Sequence, residues 1–393
     1  MNKPAPIYLD YNATAPILPA AADAMQECLR KPFSNPASQH RSGQESRRQL
    51  DRARYQIVAA LGGLDGCDEL VLTSGATEAN NLVLRGLGLG GDASGVAVSA
   101  VEHPSIHGPA DYLAAQGVSV HHIGVDGDGQ VREDELEQLL HRESLRLVSV
   151  QFANHETGVL QPVQRLARLC HQHGVLFHTD ATQAVGKVDF RFNELEADAL
   201  TFSAHKFQGP VGSGGCLLRG AKAEQCQPLI HGGFQQAAIR PGTESIMLAV
   251  GAATALDHWF DHGEQLRGQI AARRDEFERG LLDQFPEVCV HGVSSTRNVA
   301  TSNVGFVGVD RQAMWLALDH AGVACSTGSA CASGSSEPSP VLQAMGVSEE
   351  QIEGALRFSF GSSTSAAEVT TALHHISRIY NNLRSSKNRW KRA

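Results

Sequence analysis

Between residues 69 and 218 the chain alternates short apolar runs with segments of helical period, and this alternation is its dominant signal. Runs near 69 to 73, 95 to 100, 117 to 122, 146 to 152, 174 to 179, 199 to 203 and 214 to 218 read as strands. Between and before them, 44 to 61, 77 to 86, 133 to 141 and 162 to 173 carry apolar residues three and four apart, as helices do. Strand-helix alternation predicts an α/β domain with a mostly parallel, seven-stranded sheet, whose strand ends host a ligand. After residue 250 the pattern changes to a long helical stretch (252 to 285), short strands near 287 to 291 and 302 to 307, and a final helix near 366 to 384.

The chemistry concentrates where these strands end. Thr201-Phe202-Ser203 leads into Ala204-His205-Lys206, and a glycine-rich turn comes next from Gly209 to Gly215. A lysine in that place, partly desolvated, has an amine that can lose its proton and attack an aldehyde, and pyridoxal phosphate is the aldehyde that fits. Upstream by 26 residues, Val175-Leu176-Phe177-His178-Thr179 ends in Asp180. A carboxylate there can hold the protonated pyridine nitrogen and keep the ring an electron sink, or it can simply cap the next turn.

Leu70-Val71-Leu72-Thr73 breaks at Ser74-Gly75 and enters a helix at Ala76-Thr77-Glu78, so backbone amides and the Thr77 hydroxyl can receive a phosphate. No GxxxxGK[ST] pattern is present, which points away from a nucleoside triphosphate. Val101-Glu102-His103-Pro104 comes after another strand and brings an imidazole to the same edge, placed to stack on a ring and move protons.

These segments together resemble the cysteine desulfurases of the class V aminotransferase group, over nearly the whole chain. Tyr8-Leu9-Asp10-Tyr11-Asn12-Ala13-Thr14 is similar to the family's opening segment, and Asn35-Pro36-Ala37-Ser38-Gln39-His40-Arg41-Ser42-Gly43 to its substrate-side loop. Ser326-Thr327-Gly328-Ser329-Ala330-Cys331-Ala332-Ser333-Gly334, then Glu337-Pro338-Ser339 and Leu356-Arg357-Phe358-Ser359, carry the most specific likeness. The resemblance implies a fold-type I pyridoxal-phosphate transferase, with a large cofactor domain over 16–255 and a smaller α+β domain built from 1–15 and 256–393.

By the same likeness Lys206, Cys331 and His103 are catalytic, with Cys331 as the persulfide carrier. Ala76, Thr77, His155, Asp180, Gln183, Ser203, His205, Lys206 and Thr243 bind the cofactor, while Asn35 and Arg357 bind the substrate. The implied reaction converts L-cysteine to L-alanine and passes the sulfur to an acceptor, such as an iron-sulfur scaffold or a tRNA thiolation system. Selenocysteine or cysteine sulfinate as substrate, or a weakly active sulfur-relay subunit, are the alternatives. A homodimer is implied because the loop from His231 to Glu244 resembles one whose threonine reaches a neighbouring subunit's phosphate site.

Independent of the likeness, a loop of Ser, Gly and Ala around Cys331 has little bulk to anchor it, and Arg357 offers a planar fork suited to a carboxylate. The chain departs from the family pattern at two places. His155 stands in Asn154-His155-Glu156-Thr157-Gly158 where a second asparagine is usual, and Phe234-Gln235-Gln236 interrupts the subunit-crossing loop. A neutral imidazole N–H can make the asparagine's contact, and with an ordinary pKa near 6.5 its titration would be coupled to the cofactor's.

Composition narrows the setting. With 393 residues, 42% of them apolar, the chain can build two cores, and its net charge of -9 argues against nucleic acid as the main ligand. Eight cysteines without CxxC spacing, and no leader or apolar stretch long enough for a membrane span, lead to the expectation of a soluble cytoplasmic enzyme with reduced thiols and no metal site. The basic tail from Lys387 to Arg392 reads as a solvated terminus.

Overall fold

A computed structural model describes residues 6–30, 34–89, 95–328 and 337–390. In chain order the first elements are β1 (Ile7–Tyr8), α1 (Pro19–Arg30), α2 (Arg41–Ala60), β2 (Asp68–Thr73), α3 (Ala76–Gly88), β3 (Gly95–Ser99) and α4 (Pro104–Ala115). Next come β4 (Ser119–Ile123), α5 (Glu133–Arg142), β5 (Leu145–Ser149), α6 (Val163–Gln172), β6 (Leu176–Asp180), α7 (Phe192–Leu195), β7 (Ala199–Ser203), β8 (Gly214–Arg219) and α8 (Lys222–Gln225). The last are α9 (Ile246–Gln284), β9 (Cys289–Val290), β10 (Thr301–Gly305), α10 (Arg311–His320), β11 (Val323–Ala324), α11 (Pro340–Ala344), α12 (Glu349–Glu353), β12 (Ala355–Ser359) and α13 (Ala366–Trp390).

The main sheet has seven strands in the order β2-β8-β7-β6-β5-β3-β4, as the alternation predicts. Pairings from β7 through β6, β5 and β3 to β4 are parallel, and β8 alone runs against both its neighbours. The carboxyl ends of β2, β3, β5, β6 and β7 therefore open on one edge, where crossover connections leave a crevice. Apolar side chains cover both faces of the sheet. Val96 and Val98 of β3 pack with Leu82, Val83 and Ile106 from α3 and α4, whereas Ala97 joins the opposite core with Leu136, Leu166 and Phe177. A strand buried on both faces has no polar face to show, which is why the central runs read as largely apolar, whereas β4 at the edge is partly exposed and carries His121 and His122.

A smaller three-stranded antiparallel sheet, β12-β10-β9, packs beside α10, α12 and α9. The 39-residue α9 links the two regions, touching α1 and α2 along one part and α13 along another. The expected division at 255/256 falls inside this continuous helix. At about 1.5 Å per residue the helix spans about 58 Å, enough to traverse both sheets.

Two expectations differ in extent. The apolar run to residue 152 is a regular strand only to Ser149: Val150 and Phe152 still donate to the His178 and Asp180 carbonyls of β6, but the Gln151 N–H turns to the Glu102 carboxyl at 2.7 Å. Helix α4 starts at Pro104 directly after the strand-end imidazole; His103 caps it by accepting from the Ser105 N–H at 3.1 Å. Proline at its first position and Pro109 within it obscure the helical period. Among the described residues no helix is long and apolar enough to cross a membrane.

Candidate active site

A cavity of about 420 Å³ opens at the carboxyl ends of β6 and β7 and the start of α3. Ala76, Thr77, His103, His155, Asp180, Gln183, Ser203, His205 and Lys206 all line it, although they come from separate stretches of the chain. The sheet register explains part of that convergence. Thr73 and Ser203 both pair with Gly214, so the ends of β2 and β7 flank one residue of β8. A Cβ at Gly214 would lie 2.5 Å from the Phe202 carbonyl and 2.7 Å from the Gly75 Cα, so only glycine lets these ends close up.

Lys206 sits on the 3-10 turn from Ala204 to Phe207, and its Nζ donates to the carbonyls of Asn12 (2.6 Å) and Ala13 (2.8 Å). Asp180 serves as the turn cap that its sequence position allows, and its second oxygen is held from behind. One carboxylate oxygen caps the Thr182 N–H at 2.8 Å, and the other accepts from Asn80 Nδ2 at 2.8 Å. Asn80 is itself held by Ser105 and Thr201, so the carboxylate that faces the cavity is fixed from behind. Gln183 donates to the Asn12 carbonyl at 3.0 Å.

The start of α3 has no side-chain cap, leaving its first amides directed at the cavity. His103 and His155 meet edge to face with centroids 5.2 Å apart. The His155 side chain is 13% exposed, and its Nδ1, shielded from solvent, bonds nothing among the described residues. Burial first, then His103, Arg357 and Lys206, hold this imidazole well below its ordinary pKa. This moves its titration below the expected value near 6.5 and favours the neutral imidazole. His103 and His205 are lowered as well, by desolvation first; His205 falls to about 4.

A flat group bearing a phosphate, a ring nitrogen and a phenolic oxygen suits these donors. Uncapped amides, a fixed carboxylate, an amine and an orphaned buried imidazole nitrogen stand around one cavity of sufficient size.

Three expected site residues lie elsewhere. Arg357, on β12, donates to the His155 carbonyl at 3.0 Å and pairs with Asp10 at 2.9 Å, while its Nε is buried without a partner among the described residues. Thr243 lines a neighbouring cavity of about 210 Å³ that shares Ser74 and Gly212 with the first. Asn35 is exposed on the loop before α2, where its Oδ1 accepts from the Ala37 N–H at 2.9 Å in a local turn. Cys331 lies outside the described residues. Burial pushes the pKa of the Cys325 thiol well up.

The interrupted loop before Thr243 is strained. Gln236, Ala237 and Ala238 are consecutive non-glycine residues at positive φ, and Phe234 is 93% exposed. Gln236 holds the bend by pairing its side-chain amide with both the N–H and the carbonyl of Leu72.

Sequence reasoning did not single out Asn12 as a hub, nor Glu102, Ser105, Gln151, Thr182 and Lys187 near the site. A buried carboxyl or amine is invisible in a sequence until the fold surrounds it.

The profile of the aminotransferase class-V family matches residues 7–371. The chain belongs to the aminotransferase class-V family. Within that family it is similar to a cysteine desulfurase of Cereibacter sphaeroides, with 41% identity over 96% of this chain and 97% of the relative. It is 35% identical to the cysteine desulfurase IscS of Dictyoglomus turgidum, over 98% of both chains. The X-ray structure of a NifS-like protein from Rickettsia africae superimposes with a TM-score of 0.87 at 29% identity, covering 96% of this chain and 99% of that one.

Proposed function

We infer that this protein is a cysteine desulfurase that uses pyridoxal phosphate to convert L-cysteine to L-alanine and carries the sulfur as a persulfide on Cys331. The observation behind this reading is the single cavity in which Lys206, Asp180, His103 and the open start of α3 converge. When bound, the cofactor supplies an electron sink for the pair released at the substrate's α-carbon.

The chain's own residues supply the rest. Asp180 holds the ring nitrogen's proton, and Ala76, Thr77, Ser203 and His205 hold the phosphate, with Thr243 from a second copy in a homodimer. Gln183 and neutral His155 donate toward the phenolic oxygen. Lys206 anchors the cofactor and moves a proton at the α-carbon. His103, lowered toward its neutral form, stacks on the ring and accepts a proton. Arg357 meets the substrate carboxylate, and Asn35, on the loop before α2, is the second substrate-side residue. The Cys331 thiolate then attacks the substrate sulfur: an S–S bond forms, the C–S bond breaks, and the carbon product takes a proton to become alanine. We assign the cysteine loop to the smaller of two domains, as a carrier that serves both cofactor and acceptor requires.

The test loads the full chain with pyridoxal phosphate and assays alanine and sulfide from L-cysteine with a thiol reductant present. Equal amounts of both are expected. Cys331→Ala should keep the cofactor's visible band yet lose at least ~10³-fold in sulfide release, as expected for removal of a nucleophile. Near-normal turnover in that variant, or faster turnover of selenocysteine or cysteine sulfinate by the wild type, would overturn the reading.

A further inference from the structure

Glu156 follows His155 in the turn from Asn154 to Gly158, and it is 1% exposed. Its Oε2 accepts from the Ser339 hydroxyl at 2.6 Å. The same oxygen lies against Gly328, where a Cβ would stand 2.7 Å away. With a φ of +87° as well, position 328 suits glycine alone. Residues 328 and 339 flank the segment 329–336, so one carboxyl oxygen meets the chain on both sides of Cys331.

The turn that carries Glu156 is itself fixed from two directions. Asn154 Oδ1 accepts from the N–H groups of Glu156 and Thr157, each at 2.8 Å, and Asn154 Nδ2 donates to the Val101 carbonyl at 3.2 Å, two residues before His103. From the smaller sheet, Arg357 donates to the His155 carbonyl at 3.0 Å, and Asn303, paired with Arg357 across β10 and β12, donates to the Glu156 carbonyl at 3.4 Å. Ser326 exchanges backbone hydrogen bonds with Arg357 at 3.0 and 2.7 Å, which pins the chain just before Gly328. Ser339 donates to Glu156 while its oxygen accepts from the Leu342 N–H at 3.1 Å and caps α11. Both ends of the segment thus meet the turn whose His155 lines the cofactor cavity, with His155 Nε2 3.7 Å from Glu156 Oε1.

We propose that Glu156 is a positioning residue for sulfur transfer, whose carboxyl ties both ends of the Cys331 segment to the turn that presents His155 to the cofactor. It sets where the chain bearing the thiol leaves and rejoins the fold. The role needs an acceptor oxygen and not a charge. Desolvation raises the pKa of this carboxyl, against the Ser339 bond and the attraction of Arg357 and Arg311, and a serine hydroxyl donates to an amide oxygen as it does to a carboxyl. A displacement of about 1 Å at a reacting group costs on the order of 10²-fold in rate, so losing the tie should slow the step that uses Cys331 and spare those before it. This inference rests on the reading of Cys331 as the persulfide carrier.

The experiment uses the full chain in two states. In the cofactor-free protein, hydrogen exchange read by mass spectrometry should speed up in Glu156→Ala on the order of ten-fold in peptides on both sides of the segment, and keep its wild-type rate in β5, β6 and β7. In protein loaded with pyridoxal phosphate and mixed with L-cysteine for a single turnover, the change in the visible band should keep its rate within about two-fold. Persulfide on Cys331, trapped by alkylation and read by mass spectrometry, should form slower by on the order of ten-fold or more. Glu156→Gln keeps the acceptor and should bring exchange and persulfide formation back to within about three-fold of wild type. Ser339→Ala should repeat the Glu156→Ala pattern and serves if that variant does not fold, and the double variant should be no slower than the slower single one, as two ends of one contact require. Persulfide formation at the wild-type rate in Glu156→Ala or Ser339→Ala, an equal slowing of the visible band, additive losses in the double variant, or a Gln variant as impaired as the Ala one would overturn the proposal. Failure of the desulfurase reading is distinguishable: wild type would then put no persulfide on Cys331, whatever the exchange rates show.

Discussion

The floor of the cavity and the surroundings of Arg357 are built on different plans. On the floor, each group stands at the end of its own strand, and the main sheet sets the spacing: Asp180 ends β6, Ser203 ends β7, and Thr77 begins the helix after β2. On the other side, Arg357 is held by Asp10, 347 positions away in sequence, and by the His155 carbonyl. The floor is thus positioned by backbone pairing, which is shared over many hydrogen bonds. The Arg357 side depends on a few charge-assisted contacts between distant segments, so single substitutions there should act more sharply and more locally.

Arg357→Lys probes that difference with the largest expected effect. A lysine keeps the charge but cannot hold Asp10, the His155 carbonyl and a substrate carboxylate in one plane. We expect kcat/KM for L-cysteine to fall on the order of 10²-fold, or about 3 kcal/mol, mainly through KM. Pyridoxal phosphate binding should be nearly unchanged, because the floor does not use Arg357. Equal losses in cofactor affinity and kcat/KM would show that the two sides are not separable.

Glu102 tests the floor itself. It lies behind the cavity, accepting from Ser99 and from the Gln151 N–H at 2.7 Å, with one carboxyl oxygen unpartnered among the described residues. Desolvation raises its pKa to about 8, assisted by Asp180. Between the ordinary carboxyl range and pH 8 the folded protein therefore holds a proton that the unfolded chain has released, so this group takes away stability as pH rises. Glu102→Gln should remove the loss, gaining on the order of 2 kcal/mol at pH 8 relative to pH 5. Parallel Tm-against-pH curves for the two proteins would show that the carboxyl is already ionised in the fold.

The smallest effect belongs to His155, where the two sides meet. Folding depresses its pKa, so the unfolded chain binds a proton below pH 6.5 that the folded one does not, and stability falls as pH falls. His155→Asn should spare about 1 kcal/mol of the stability that wild type loses between pH 7 and 5.5. The pH dependence of the cofactor's visible band between 6 and 8 should be the same in both proteins, because the imidazole does not titrate there. An inflection near 6.5 present only in wild type would return His155 to the coupled titration that its sequence position first suggests.

The strand ends were readable because a parallel strand buried on both faces must be an uninterrupted apolar run, which gives way to polar residues where the chain leaves the sheet. Lys206, Asp180, Ser203 and Thr77 are visible for that reason, and the seven runs match seven strands. Helix α4 was hidden by prolines, and β12 showed only as an apolar run around Arg357. Arg357 and Asn35 could be named from the motif around them, but no pattern in the chain says that Arg357 pairs with Asp10, or that Asn35 serves a local turn.

By itself, then, the sequence determined the element order, the edge of the sheet that carries chemistry and the residue types available there, since all three come from local periodicity and composition. Tertiary structure alone decided which polar groups lose water together. Lys187 and Glu102 are ordinary residues in the sequence and His155 only a departure from a pattern, and each owes its altered proton affinity to the groups that folding packs around it. Desolvation and charge coupling act through space over a few ångströms, between residues such as Asn12 and Lys187 that are far apart along the chain.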